Sequence, residues 1–250
     1  MAVLERWCVQ ELWKVQMSNR ETLVLIPGLA CTRAVFEPQI NAFGDRYDVV
    51  VPDHTQGDTL GEIASGLLAA APQSFALAGF SMGGYVALEV MRQAPDRIRR
   101  LALIDTTARP DTEEAKERRR RLIALAEAGR LQDIHSLLWE RLVHPDRRSD
   151  RELEGIAQRM LRDTGSNAFI RQQRAIMARP DSRPTLPGIE IPTLVLVGAE
   201  DQITPPEHAR EMADMIEWAS LVIIPDSGHL SLLEQPESVQ RALEAWLSTN

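Results

Sequence analysis

The chain has 250 residues, 44% of them hydrophobic and 26% charged, with a formal net charge of −8. That is enough apolar material for one sizeable core with an inserted subdomain, and the acidic balance argues against the basic stripe that a nucleic-acid surface needs. Two cysteines, Cys8 and Cys31, give neither a disulfide framework nor zinc spacing, no His-Glu-x-x-His occurs, and no apolar run reaches membrane-spanning length.

Residues 1–20 carry Glu5, Arg6, Glu11 and Lys14 where a signal peptide would have an apolar stretch, so a cytoplasmic location with no membrane partner is expected. The segment reads as an N-terminal extension of open role, and Met17 would serve as a second start. Beyond it, apolar runs predict strands at 22–26, 47–51, 75–79, 100–104, 193–198 and 220–224. Amphipathic patterns predict helices at about 34–43, 60–71, 82–94, 205–217 and 236–248. Strand and helix in alternation specify a mostly parallel sheet covered by helices on both faces.

The alternation breaks between Asp105 and Pro192, where four helical patterns near 112–129, 131–143, 150–163 and 166–179 follow one another with no strand between. Asp111 with Glu114, and Ser149 with Glu152, have the spacing of capping boxes, and Gly129 and Gly165 are suitable helix stops. The division expected is an α/β core of residues 21–105 and 188–250 carrying a helical cap of residues 106–187. Such a cap excludes water from the sheet edge beneath it and supplies binding walls.

Phe75-Ala-Leu-Ala-Gly-Phe-Ser81-Met-Gly-Gly-Tyr runs from a strand through Gly-x-Ser-x-Gly straight into a helix. A turn that sharp needs small residues on both sides of the serine and pushes its hydroxyl into the open at a helix N-terminus, which makes Ser81 a candidate nucleophile. In this class of turn an acid and then a histidine follow, each after a further strand. Thr193–Gly198 leads to Asp201, and Ser220–Ile224 leads to His229. Parallel strands deliver their C-terminal ends to one edge, so Ser81, Asp201 and His229 can converge there. A rival acid is Asp105, which ends the strand 100–104 on the same edge or else pins the start of the cap. Asp201 has a competing role as a helix cap before Pro205-Pro206, for which Thr204 is better placed. Of the other histidines, His54 lies on a strand-exit loop and is a candidate to line the site, while His135, His144 and His208 read as solvated helix or turn residues.

With these three motifs in order the chain resembles the α/β-hydrolases, over nearly everything from Glu21 to Asn250. The resemblance implies a serine hydrolase in which His229 takes the Ser81 proton, Asp201 orients the imidazole, and the backbone N–H groups of Leu29 and Met82 hold the oxyanion. One departure is that Leu25-Ile-Pro-Gly-Leu29 places Pro27 where the family commonly has a histidine, which leaves open how that loop is braced. No cofactor and no metal enter the scheme. The expected substrate is a small carboxylic ester with an uncharged acyl group next to the scissile bond, but the resemblance also spans lactonases, thioesterases, carbon–carbon bond hydrolases and cofactor-free haloperoxidases. A short capped chain of this kind also resembles the pimeloyl-carrier methyl ester esterases, and Arg118 to Arg121 with Arg141, Arg147, Arg148, Arg171 and Arg174 would then dock an acyl carrier protein; the alternative is that they are ordinary solvated helix faces. A ligand receptor on the same scaffold is the non-catalytic reading. Oligomeric state is not legible.

Overall fold

The computed structural model describes residues 20–249, and the expectation for the N-terminal extension lies outside the described residues up to position 19. Six strands form one sheet: β1 (Thr22–Ile26), β2 (Asp48–Val50), β3 (Phe75–Phe80), β4 (Ile98–Ile104), β5 (Thr193–Gly198) and β6 (Ala219–Ile224), in spatial order β2-β1-β3-β4-β5-β6. Every neighbouring pair is parallel. All residues of β1, β3 and β5 are buried, which is why they read as unbroken apolar runs instead of alternating with polar residues.

The two faces of each strand feed two separate cores, because successive side chains point to opposite sides. Val24, Ile26, Leu77, Leu103 and Val195 pack with residues of the helices Leu60–Ala70, Met82–Gln93 and Pro206–Met215. Leu23, Leu25, Ala76, Ile104 and Leu194 pack with residues of Glu37–Phe43 and Pro236–Leu247 on the other side. Burying one such Leu or Val stabilises the fold by roughly 1.5–3 kcal/mol. The helix predicted at 34–43 starts as a single 3-10 turn, Arg33–Phe36, since Pro38 cannot donate within the first α turn.

Between β4 and β5 lie the helices Glu113–Glu127, Leu131–Leu142 and Arg151–Met177, which pack on one another around Ala126, Ile134, Leu161 and Phe169. The two helices predicted at 150–163 and 166–179 meet end to end at Gly165, whose φ of 74° and ψ of 163° break the helical path between them. Both predicted capping boxes are off by one residue. Thr112 caps the first of these helices by accepting from Ala115 N, while Asp111 pairs with Arg119 and Arg179; two partly buried guanidiniums compete for its carboxylate more strongly than one backbone N–H. Asp150, in place of Ser149, caps Arg151–Met177 by accepting from Glu152 N and Leu153 N.

Candidate active site

Ser81 sits between β3 and the helix Met82–Gln93 with φ 52° and ψ −116°, a conformation an L-residue adopts only under constraint. Three hydrogen bonds supply that constraint: Ser81 N donates to Ile104 O (2.9 Å), and Ser81 O accepts from Thr106 Oγ1 (2.7 Å) and Gly84 N (2.9 Å). The flanking glycines are obligatory for a steric reason. A Cβ on Gly79 would lie 2.3 Å from Gly83 O, and one on Gly83 would lie 2.0 Å from Ile26 O.

His229 is carried on the loop after β6 and is 3% exposed. Its Nε2 lies 2.9 Å from Ser81 Oγ and its Nδ1 lies 2.7 Å from Asp201 Oδ2. Asp201, on the loop after β5, is fixed in turn: Oδ1 accepts from Ile203 N (2.7 Å) and Thr204 N (3.0 Å), and Oδ2 accepts from Thr204 Oγ1 (2.8 Å). Thr204 therefore serves Asp201 and not the helix that follows, whose N-cap is Pro205 with no side-chain bond. Burial alone would raise the Asp201 pKa, but the neighbouring imidazole and these hydrogen bonds hold it below the ordinary carboxylate value. For His229 burial opposes the charged form, yet the carboxylate of Asp201 outweighs it and raises the pKa above that of free imidazole.

Asp105, the rival acid, bonds elsewhere. Its Oδ1 accepts from Gly198 N (2.8 Å) and its Oδ2 bonds with Ser231 Oγ, which ties the end of β4 to the end of β5 and to the chain beyond His229. Complete burial, with the negative charge of Asp201 nearby, pushes its pKa well above the carboxylate range.

Leu29 and Met82 both border the cavity that opens on Ser81 and His229. The loop carrying Leu29 is held from two sides. His54 Nε2 donates to Gly28 O (3.0 Å), and Ala30 N donates to Gln172 Oε1 (3.0 Å), from the helix Arg151–Met177. His54 thus supports the loop from behind instead of lining the site, and burial lowers its pKa so that the imidazole is a neutral N–H donor. The bracing that Pro27 cannot supply comes from these two distant side chains. Gln172 was not singled out by its sequence context. Glu234, which begins the Glu-Gln-Pro-Glu run behind Ser-Gly-His-Leu, accepts from Gly228 N (2.9 Å) and His144 N (2.6 Å) and steadies the turn before His229.

The histidines expected to be solvated are not uniformly so. His135 is 4% exposed, stacks on Trp139 with ring centroids 5.6 Å apart, and lies 3.3 Å from Glu154 Oε1, because it falls on the face of its helix that packs against Arg151–Met177. His208 borders the cavity. The basic run is internally engaged: Arg118 pairs with Glu114, Arg119 with Asp111, and Arg120 with Glu117, while Arg141 donates to Gln202 O and Arg171 to Thr55 O.

The cavity has a volume of about 540 Å³ and is walled by β3 and the three inserted helices, with Phe80, Met160, Leu161 and Ile176 among its apolar lining. Cys31 also borders it, but burial pushes its thiol up to about 12, so it does not compete as a nucleophile. Among the described residues no group of three or more His, Cys, Asp or Glu side chains is placed to hold a metal ion, and no helix is long and apolar enough to cross a membrane.

Residues 23–242 match the family model described as alpha/beta hydrolase family. A solved thermophilic esterase from Thermogutta terrifontis superposes with a TM-score of 0.83 at 33% identity, covering 91% of this chain and 90% of that one. Among curated relatives, the pimeloyl-[acyl-carrier protein] methyl ester esterase of Neisseria meningitidis is 26% identical over 86% of this chain and 88% of its own length. The 3-oxoadipate enol-lactonase 1 of Acinetobacter baylyi is 28% identical over 88% and 85% respectively.

Proposed function

The chain belongs to the α/β-hydrolase family, and we propose that within it this protein is a serine hydrolase that cleaves a small-molecule carboxylic ester through an acyl-enzyme. The observation that carries this reading is the unbroken hydrogen-bond series Ser81 Oγ to His229 Nε2 to Asp201 Oδ2, at 2.9 and 2.7 Å, opening on one cavity. Asp201 holds the proton on Nδ1, which leaves Nε2 free to accept the Ser81 proton as the hydroxyl attacks the acyl carbonyl. The negative charge that develops on the carbonyl oxygen is taken by the N–H groups of Leu29 and Met82, a kind of stabilisation for which loss of one donor costs about a hundred- to a thousandfold. The imidazolium then protonates the departing alkoxide. Water, deprotonated by the same imidazole, releases the acid and restores Ser81.

In this scheme residues 106–187 act as the cap, closing the cavity over the sheet edge so that the reacting groups work in a medium poor in water. An ester is favoured over an amide because an alkoxide departs more readily than an amine. The curated lactonase relative extends the range to a cyclic ester, which needs no change in chemistry. The carrier-bound methyl ester suggested by another relative is the less favoured substrate, because most of the arginines that would dock an acidic carrier already have partners within the chain.

The test is labelling with a fluorophosphonate probe combined with turnover of p-nitrophenyl esters of graded acyl length. Ser81→Ala removes both signals. Labelling at another residue, or turnover that survives the substitution, refutes the reading.

A further inference from the structure

The cavity does not end in apolar walls. Asp111, Arg119, Gln173 and Arg179 line it as well, and their hydrogen-bond accounting is unbalanced. Arg119 Nε lies 2.6 Å from Asp111 Oδ2, and Arg179 Nη1 lies 2.8 Å from Asp111 Oδ1, so two guanidiniums share one carboxylate. The side chains of Arg179 and Asp111 are 6% and 4% exposed, and the Arg179 guanidinium lies over the Tyr85 ring at 4.3 Å. The Arg119 side chain is 19% exposed, so a surplus positive charge is built into the wall, with Arg179 the more deeply packed of its two carriers.

Gln173 adds a donor. It is fully buried, its Oε1 accepts from Arg119 Nη1 at 2.8 Å, and its Nε2 has no hydrogen-bond partner. The orientation of the amide is set by Arg119: turning it over would put an N–H against a guanidinium that can only donate. A buried amide N–H left without an acceptor is costly, and it calls for a partner that completes it, whether an ordered water, an ion or a ligand. Asp111 does not serve: its oxygens face the two arginines, and Gln173 Nε2 reaches neither of them.

We propose that this cluster is a subsite for a carboxylate at the far end of the substrate, so that the protein hydrolyses hemi-esters of short dicarboxylic acids. The inference rests on the serine hydrolase reading and specifies its substrate class. A carboxylate matches both imbalances at once: it neutralises the surplus guanidinium charge and accepts from Gln173 Nε2. An unsubstituted alkyl chain would satisfy neither, and a methylated carboxylate, whose carbonyl can still accept, would leave the charge uncompensated. The acyl carbons next to the scissile bond still face apolar residues, in keeping with an uncharged group there.

The experiment compares the p-nitrophenyl hemi-esters of succinate, glutarate and adipate with the same compounds methylated at the free carboxylate. The expected result is a kcat/KM about tenfold or more higher for the free carboxylate at one or more chain lengths. Gln173→Glu, which keeps an acceptor for Arg119 but replaces the Nε2 donor with an anion, should collapse that ratio by about ten- to a hundredfold. Arg179→Met should reduce it in the same direction. Titration of the Ser81→Ala protein with glutarate and adipate by calorimetry reads the subsite without turnover, and that binding should vanish when Gln173→Glu is added. If the wild-type protein prefers the methylated ester at every length, or its preference survives both subsite variants, the proposal is overturned whether or not those variants are fully stable. If dicarboxylates bind to the Ser81→Ala protein but no ester is turned over by the wild type, the subsite stands and the hydrolase reading fails.

Discussion

Replacing Asp201 with Asn tests the proposed mechanism most directly, because the structure dictates how the new amide must sit. Asp201 Oδ1 accepts two backbone N–H groups, from Ile203 and Thr204, which cannot turn away. The Asn carbonyl oxygen must take that place, leaving its NH₂ facing His229 Nδ1 where Oδ2 now lies at 2.7 Å. An N–H there forces the His229 proton onto Nε2, the atom that has to accept from Ser81. The variant also loses the carboxylate charge that stabilises the imidazolium. At roughly 4 Å between charge centres and an effective dielectric near 20 that loss is about 4 kcal/mol, or about a thousandfold. With the wrong tautomer added, the expected fall in kcat is on the order of ten-thousandfold at an unchanged melting temperature. Asp105→Asn is the matched control. Asp105 is bonded to Gly198 N and Ser231 rather than to His229, and its pKa is already raised by burial, so the neutral amide should cost less than about tenfold. Steady-state rates on one p-nitrophenyl ester, with circular dichroism to establish folding, decide the matter. A folded Asp201→Asn protein within tenfold of wild type, or an Asp105→Asn protein carrying the larger loss, refutes the reasoning.

The pH dependence follows from the same pair. The His229 pKa is raised, so the imidazole stays protonated and unable to act as base until the pH exceeds the ordinary value of about 6.5; kcat/KM should rise with pH through an inflection above that value, and the inflection should move down in Asp201→Asn. Gln172→Ala removes the acceptor for Ala30 N and should lower kcat about five- to tenfold through loosening of the Leu29 loop, which single-turnover acylation rates would detect; a change in KM alone would count against this role. Gly83→Ala would drive a Cβ to 2.0 Å from Ile26 O, and the expected destabilisation of about 3 kcal/mol should appear as a lower melting temperature, whereas an unchanged value would mean that the turn can relax. Reversing Arg120 and Arg174 to Glu should leave hydrolysis of free and carrier-bound methyl esters in the same ratio; a selective loss on the carrier-bound ester would revive the docking reading.

The buried strands and the turn at Ser81 were legible in the sequence because they are local and covalent in origin. A run such as Thr193–Gly198 is apolar because both faces of a central parallel strand are covered, and the Gly-x-Ser-x-Gly turn is readable as a local pattern although the Cβ that Gly83 excludes would strike Ile26 O of β1. The order of Ser81, Asp201 and His229 along the chain was visible for the same reason, since each follows a recognisable strand. What the sequence left open were choices between groups that are equivalent in one dimension. Asp105 and Asp201 both leave strands at the same edge, and only the approach of the β6 exit loop puts Asp201 Oδ2 against His229 Nδ1 while Gly198 and Ser231 take up Asp105. Gln172 and Gln173 gave no signal and His54 only its place on the catalytic edge, because a helical glutamine or a loop histidine has no local pattern that reveals a partner 142, 54 or 26 residues away. The tertiary structure decided those pairings, for a buried polar group must find its partner wherever packing brings the chain back beside it.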